Sequence, residues 1–328
     1  MKNKLTIPLL VFLCVLGCLI TYFILEKEKH RNPNEIKIIG AIIPLTGDYA
    51  QYGQSVKNGI SIAFEEFNNT NADKIKLILE DDRGDTKTSL SALNKLVKSD
   101  NVKIVIGAVP SGITLSIAPF AEKEHIVLVS PTSTASAVKN AGDYIFRVCV
   151  SDEYEGKAMA DYLIANFRNK TIGVLNINND YGNGLKNDFV KYLQNNSIKI
   201  PLIESYFSDT RDFRTILTKF KTQNIEVIYL VAQKEQSLIY KQMTEINYKP
   251  QITGSTMIED PDLLKETGNI SDGTLYTFRS YNSEDTTIVS KNFVTQYKIK
   301  FGITPDFYAA SGYDAARVSL YATSKSKY

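Results

Sequence analysis

The stretch Ile106-Gly107-Ala108-Val109-Pro110-Ser111-Gly112 joins a short apolar run to a helical pattern, and this junction decides the fold. Residues 102–106 are mostly apolar and predict a buried strand, whereas the apolar residues from Ile113 to Ala121 recur with helical spacing. A glycine-containing turn with a serine therefore lies between a strand and the N-terminus of a helix. The backbone N–H groups of such a turn suit an anion such as a carboxylate.

Two interpretations of this turn are open at the level of sequence. In the first, the Ser111 hydroxyl contributes to a ligand site, because open α/β sheets bind ligands at the carboxyl ends of their strands. In the second, Ser111 only caps the helix and Gly107 only lets the chain turn. The rest of the chain bears on this choice.

Strand and helix patterns alternate throughout the globular part of the chain. The apolar run 36–43 begins a first series, and a second series begins after residue 150. This predicts an α/β fold of two doubly wound, Rossmann-like lobes joined by a hinge, preceded by an N-terminal hydrophobic anchor. Lobe 1 would comprise residues 36–148 and 278–328, and lobe 2 residues 149–277. A ligand would bind between the strand ends of the two lobes.

Residues 1–31 predict an N-terminal membrane anchor or signal segment. The uncharged run from Ile7 to Leu25 would span about 28 Å as a helix at ~1.5 Å per residue, close to the thickness of a bilayer core. Three interpretations remain open: an uncleaved anchor, a lipoprotein lipidated on Cys18, or a cleaved signal peptide. Each places the globular part at the outer face of the cytoplasmic membrane, in the periplasm or at the cell surface.

Composition argues against several classes of function. The net charge of +2 gives no support for a nucleic-acid partner. With two His and three Cys, the chain is poorly supplied for a Ser-His-Asp enzyme or a His-rich metal site. Neither G-x-G-x-x-G nor G-x-x-x-x-G-K-[ST] occurs in the sequence. We therefore expect a protein that is not an enzyme and has no cofactor or metal.

Hydroxyl and aromatic residues cluster in the predicted strand-to-helix loops. Ser111, Thr132 and Thr134 follow neighbouring strands of one lobe and can bind a carboxylate through hydroxyl and backbone N–H donors. Tyr52, Tyr181 and Tyr308 lie in or beside loops and can form the walls of an apolar pocket. The predicted ligand is thus a small molecule that carries a carboxylate.

The chain resembles the branched-chain amino-acid-binding proteins of ABC uptake systems, which have the type I periplasmic-binding fold. The resemblance runs from about residue 36 to the C-terminus. It rests on the motifs Gly40-Ala-Ile-Ile-Pro-Leu-Thr-Gly47, Tyr52-Gly53, Asp81-Asp82, Val105-Ile-Gly107 with Ser111, Ser130-Pro131-Thr132-Ser133-Thr134, Phe146-Arg147, Asp180-Tyr181-Gly182, Asp212-Phe213 and Tyr313-Asp314-Ala315. It implies two lobes joined by three crossings and a cleft that closes on its ligand.

The resemblance also implies roles for particular residues. Ser111, Thr132 and Thr134 match the positions that hold the α-carboxylate and α-amino group of the ligand. The three tyrosines 52, 181 and 308 match aromatic wall positions, and Asp152 matches the start of lobe 2, near the hinge.

Two positions depart from the family pattern. The acidic residue that pairs with the α-ammonium falls at Thr256, and a tyrosine near the pocket falls at Gln233. An ammonium buried without its partner costs roughly 3–5 kcal/mol, so Thr256 opens the alternative of carboxylates without an ammonium, or of amides. Glu259 and Glu153 are candidates for supplying the missing charge.

We therefore expect an extracytoplasmic solute-binding protein that delivers an amino acid, or a related carboxylate or amide, to an ABC permease. The alternative is a membrane-tethered ligand-sensing or protein-interaction domain of the same fold. The family usually continues past the end of this chain, so we also expect that a C-terminal segment of the family is missing.

Overall fold

The computed structural model of the protein describes residues 37–258, 261–278 and 281–326. The predicted anchor with Cys18, and the candidate Glu259, lie outside the described residues. Within the described ranges, no helix combines the length and the apolar character that crossing a membrane requires.

The strands that the structure describes form two five-stranded sheets. The first sheet contains β1 (Lys37–Ile43), β2 (Ile75–Asp81), β3 (Ile104–Ile106), β4 (Val127–Ser130) and β5 (Ile145–Arg147). Its spatial order is β2-β1-β3-β4-β5, and the β1–β3, β3–β4 and β4–β5 pairs are parallel.

The second sheet contains β6 (Ile172–Ile177), β7 (Leu202–Tyr206), β8 (Val227–Val231), β9 (Gln251–Gly254) and β10 (Leu275–Tyr276). Its spatial order is β10-β9-β8-β6-β7, with parallel pairing throughout. The predicted α/β class with parallel sheets is confirmed.

Helices connect the strands in both halves of the chain. In the first half they are α1 (Ala50–Thr70), α2 (Thr86–Lys98) and α3 (Ser111–Lys123). In the second half they are α4 (Asp152–Asn166), α5 (Asp180–Asn195), α6 (Arg214–Thr222), α7 (Gln236–Glu245), α8 (Pro261–Thr267), α9 (Ile288–Phe301) and α10 (Phe307–Lys325). Short 3₁₀ turns occur at Ser136–Asn140, Thr256–Ile258 and Gly268–Ser271.

The last two helices return to the first sheet. The rings of Phe293 in α9 and Tyr313 in α10 stack with their centroids 4.4 Å apart, and both belong to one apolar cluster with Ile60 of α1. A different apolar cluster covers the second sheet, and its largest members include Phe189 and Tyr229. Each sheet is thus buried by its own helices, as parallel sheets require.

The strand before the Ser111 turn is shorter than its apolar run predicted. The run 102–106 contributes a strand only at 104–106, and the run 198–206 contains one only at 202–206. The N–H groups of Val102 and Ile198 donate to helix carbonyls, those of Leu96 and Leu193, rather than to a neighbouring strand. These residues therefore end the preceding helices, which apolar patterning alone does not distinguish from the start of a strand.

Candidate functional site

A cavity of about 260 Å³ lies between the carboxyl ends of the two sheets. Its lining comes from the loops after β1, β2, β3 and β4 of the first sheet and the loops after β6, β8 and β9 of the second, together with Tyr308 at the start of α10. The strand order reverses between β1 and β3 and between β6 and β8, and ligands of open α/β sheets bind at such switch points. The volume suits a molecule smaller than a typical drug.

The turn after β3 brings the backbone into the cavity wall and requires a glycine. Gly107 has φ +139°, and a Cβ atom at this position would lie 2.2 Å from the carbonyl oxygen of Ile42. Buried hydroxyl groups fix the turn, because Ser130 Oγ donates to the Ala108 carbonyl at 2.7 Å and Thr132 Oγ1 donates to the Val109 carbonyl at 3.0 Å. The first wall of the cavity is therefore preorganised.

Ser111 is the first residue of α3, and it does not cap the helix. Pro110 occupies the N-cap position, and the Ser111 hydroxyl oxygen instead accepts a hydrogen bond from the Ala135 backbone N–H at 3.2 Å. The interpretation of Ser111 as an N-cap is therefore wrong. A hydroxyl that accepts this bond can still donate its own hydrogen to a ligand in the cavity that Ser111 lines.

Thr132 and Thr134 also line the cavity. Thr132 differs from Ser111 in offering a ligand an acceptor rather than a donor. The single hydroxyl hydrogen of Thr132 is used in its bond to the Val109 carbonyl, so the oxygen can only accept from a ligand. Thr134 is buried, and its carbonyl accepts hydrogen bonds from the Arg147 guanidinium at 2.7 Å and the Asp152 backbone N–H at 2.9 Å.

Three predicted tyrosines meet at the cavity. The rings of Tyr52 and Tyr308 lie with their centroids 4.7 Å apart, and the Tyr308 hydroxyl contacts Met257 Sδ at 3.2 Å. Tyr181 is buried, and its hydroxyl donates to Ser255 Oγ at 2.9 Å. The aromatic faces therefore form an apolar part of the cavity beside the hydroxyl-rich turn.

The second wall of the cavity is built from amides and one acid. Asn179 caps α5, because its Oδ1 accepts the Gly182 backbone N–H at 2.8 Å. Its Nδ2 donates to Gln233 Oε1 at 3.3 Å, and the hydroxyl of Tyr49 reaches the same oxygen at 3.3 Å from the first half of the chain. The predicted site residue Gln233 thus links the two walls.

Thr256 does not line the cavity, and its neighbour Met257 does. The prediction placed Thr256 in the pocket, but the chain makes a 3₁₀ turn at this point, and the Thr256 backbone N–H donates to Glu155 Oε1 at 2.8 Å. Glu153 is exposed and is not part of the lining either. A one-residue difference within a tight turn decides which side chain faces a site, and sequence spacing does not resolve it.

Asp152, predicted near the hinge, is the first residue of α4 and lies outside the cavity lining. The N-cap of α4 is Ser151, whose side chain accepts the Glu153 backbone N–H. Asp152 is fully buried where the chain passes from the first sheet to the second.

Electrostatic effects concentrate where the two walls meet. Burial raises the pKa of Tyr49, and the nearby carboxylates of Glu235 and Asp48 raise it further. Burial also raises the pKa of Glu235, which lies behind Gln233 and accepts a hydrogen bond from the Tyr206 hydroxyl at 3.3 Å. At the rim, Lys234 Nζ lies 2.6 Å from Asp48 Oδ2.

The adjacent acids Asp81 and Asp82 do not converge on one point. Asp81 accepts the backbone N–H of Leu45 at 2.8 Å and the Thr46 hydroxyl at 2.7 Å, whereas Asp82 accepts the Gly84 N–H at 2.9 Å. Burial acts to raise the pKa of Asp81, but these and other hydrogen bonds outweigh it and lower the pKa. Both carboxylates therefore hold the turns at the ends of β1 and β2.

The site offers hydrogen-bond donors, acceptors and apolar surface for a small solute. Among the residues that the structure describes, no group of three or more His, Cys, Asp or Glu side chains could hold a metal ion. Sequence reasoning missed Tyr49, Asp180 and Met257 as lining residues. Asp180 could have been found, because it directly precedes the predicted Tyr181 in the loop after a strand.

The family model of the periplasmic binding proteins matches residues 35–327. A Leu/Ile/Val-binding protein of Rhizobium johnstonii is 29% identical over 254 residues, which cover 76% of this chain and 68% of the relative.

Solved structures are similar over most of the chain. A leucine-binding protein of Thermotoga maritima superposes with a TM-score of 0.80 at 30% identity, covering 88% of this chain and 83% of that one. A solute-binding protein of an ABC transporter from Rhodopseudomonas palustris, in complex with 3,4-dihydroxybenzoic acid, has a TM-score of 0.76 at 22% identity. It covers 88% of this chain and 81% of its own.

Proposed function

The chain belongs to the periplasmic binding protein family, and we propose that it binds a small carboxylate-bearing solute and delivers it to an ABC permease. The solute would be an amino acid or a related carboxylate or amide. The protein would act outside the cytoplasmic membrane, tethered by its N-terminal segment, and the role is binding without catalysis. Closure of two lobes around the solute would complete the site, with Asp152 near the hinge.

The observation that carries this proposal is the turn before α3. Val109, Pro110, Ser111 and Gly112 line the cavity, and the positive end of the α3 dipole favours a negative charge there. No Lys or Arg is among the described residues that line the cavity. A carboxylate would therefore be held by neutral donors, with Thr134 beside them.

The names of similar proteins support two classes of solute. The Rhizobium relative is a Leu/Ile/Val-binding protein, and the Rhodopseudomonas structure contains 3,4-dihydroxybenzoic acid. Both classes share a carboxylate next to an apolar group. The tyrosine pair Tyr52 and Tyr308 would contact the apolar part of either one.

A thermal-shift screen tests the proposal. The purified protein is melted with leucine, isoleucine, valine, benzoate, hydroxylated benzoates and small amides. A ligand at 100 times its dissociation constant adds about 2.7 kcal/mol of stability, which raises the melting temperature by several degrees. We expect at least one carboxylate-bearing compound to produce this shift.

Two variants on the same helix connect the shift to the site. Ser111→Ala removes the hydroxyl in the cavity, whereas Ser116→Ala removes an exposed hydroxyl that donates only to the Ile113 carbonyl. The shift should shrink in Ser111→Ala and persist in Ser116→Ala. A well-folded protein that responds to no compound, or equal shifts in both variants, would contradict the proposed site.

A further inference from the structure

Asp180 supplies the one charge in the cavity. It is the first residue of α5, and among the described residues that line the cavity it is the only one with a charged side chain. The nearby polar groups of the second wall, Asn179 and Gln233, are neutral amides. A solute in this cavity therefore contacts one carboxylate among these lining residues, and that carboxylate is exposed.

The Asp180 carboxylate lies against the carboxylate-binding turn of the opposite wall. A Cβ atom at Gly112 would lie 2.8 Å from Asp180 Oδ2, so this oxygen packs beside the backbone that follows Ser111. Gly112 leaves the space in which the two walls approach each other. Any anionic group held at the α3 N-terminus would thus lie close to Asp180.

The hydroxyl groups that line the cavity divide into one donor and one acceptor for the ligand. The Ser111 hydroxyl accepts a hydrogen bond from the Ala135 N–H, so its own hydrogen can be donated to a ligand. The Thr132 hydroxyl already donates its hydrogen to the Val109 carbonyl, so it can only accept from a ligand. The cavity therefore combines donors at the α3 turn with acceptors at Thr132 and Asp180. A ligand with a carboxylate and a neighbouring cationic group matches this pattern.

We infer that Asp180 is the specificity-determining residue that pairs with a cationic group of the solute. This inference rests on the proposed function, because it assumes a solute carboxylate at the α3 turn. A zwitterion satisfies both charges. A solute with a carboxylate alone would place two like charges side by side, which disfavours its binding.

Asp180 would also stabilise the N-terminus of α5, and the experiment has to distinguish this structural role from pairing with the solute. An acid in the first turn of a helix interacts favourably with the helix dipole, and its loss would slightly destabilise α5. That role predicts a small change in melting temperature and the same relative change in affinity for every solute. Only a pairing role predicts a change in the discrimination between solutes.

The test compares two compounds with the same carbon skeleton, L-leucine and 4-methylpentanoate, which lacks the ammonium group. Calorimetric titration measures both dissociation constants for the native protein, Asp180→Asn and the control Asp73→Asn, which removes an exposed carboxylate outside the cavity lining. Asp180 is exposed, so its pairing is partly screened by water, and we expect the native protein and the control to prefer leucine by a few fold. Asp180→Asn should lose that preference, with binding of 4-methylpentanoate unchanged or tighter.

The outcomes separate this inference from the proposed function. A native protein that binds neither of these compounds nor any compound of the thermal-shift screen would overturn the proposed function, and the inference with it. Equal affinity of the native protein for leucine and 4-methylpentanoate, or an unchanged preference in Asp180→Asn, would overturn the inference and leave the carboxylate site standing.

Discussion

The two walls of the cavity differ in how they are built. The first wall consists of a backbone turn and hydroxyl groups held by buried hydrogen bonds, such as those from Ser130 and Thr132 to the turn carbonyls. The second wall presents side chains from loops, with Asn179 and Gln233 joined by a single long hydrogen bond of 3.3 Å. The first wall is thus fixed. In the second wall, amino-acid substitutions would change the side chains that face the cavity and leave the backbone in place.

This difference assigns the two walls different tasks. A fixed array of donors suits the part that all solutes of the proposed class share, the carboxylate. A wall of exchangeable side chains suits the part that differs between solutes, and it also makes the contacts that close the cleft.

Gly107→Ala should damage the fixed wall most. The φ of +139° disfavours any side chain at a cost of about 1–3 kcal/mol, and the added Cβ would lie 2.2 Å from the Ile42 carbonyl oxygen. We expect a lower melting temperature and lost solute binding. The control is Gly184→Ala on α5, where the nearest atom to the new Cβ, in Ala135, is 3.7 Å away. This helix variant should be as stable as the native protein or more so. An equal fall in melting temperature in Gly107→Ala and Gly184→Ala would contradict a strained turn at Gly107.

Ser111→Ala should weaken solute binding by roughly 1–3 kcal/mol, the cost of losing a hydrogen bond to a charged group. Part of the loss comes from the Ala135 N–H, which loses its acceptor. Calorimetry with the compound that gives the largest thermal shift measures the effect. An affinity equal to that of the native protein would show that the carboxylate binds elsewhere.

Glu235→Gln should stabilise the second wall at neutral pH. Burial raises the pKa of Glu235, against the opposing effect of hydrogen bonds from the Gln233 backbone and the Tyr206 hydroxyl. The folded state therefore binds this proton more tightly than the unfolded state. Ionisation of Glu235 therefore lowers the free energy of unfolding. This loss is absent below the pKa of the unfolded state, about 4.3, and grows as the pH rises toward the pKa of the folded state. The variant should melt higher than the native protein at neutral pH and equally at acid pH, and the same difference at both would contradict a buried ionised carboxylate.

Lys234→Ala should have the smallest effect. The Lys234–Asp48 pair joins the two walls at 2.6 Å, but the side chains are 42% and 71% exposed. Exposed pairs contribute about 0–1 kcal/mol and are screened by salt. We expect an affinity loss of a few fold at low salt that disappears at high salt. Lys241→Ala, which removes a partner of Glu266 within the second half, should leave the affinity unchanged. A salt-independent loss would indicate that Lys234 contacts the solute.

The regular elements were more predictable from sequence than the second wall. Apolar strands such as residues 37–43 and helices with periodic apolar faces follow from burial, and so does the meeting of Ser111, Thr132 and Tyr181 at the sheet edge. The choice of Met257 over Thr256 depends on the geometry of a 3₁₀ turn, which local pattern does not fix.

Contacts between distant parts of the chain were also beyond the reach of sequence patterns. The approach of Asp180 to Gly112 joins helix starts from two halves of the chain. The bond from the Ala135 N–H to Ser111 likewise depends on how two loops pack. Such contacts require the tertiary structure, because no periodicity encodes them.

Carboxylate recognition at the α3 turn can be tested directly by titrating the protein while following the backbone amide signals of Ser111 and Gly112 by nuclear magnetic resonance. The protein is labelled with ¹⁵N-serine and ¹⁵N-glycine and titrated with the compound that gives the largest thermal shift. We predict saturable shifts of both signals with the calorimetric affinity, and smaller shifts with the amide derivative that lacks the carboxylate. Signals at 111 and 112 that stay unmoved while the compound binds would contradict carboxylate recognition at the α3 turn.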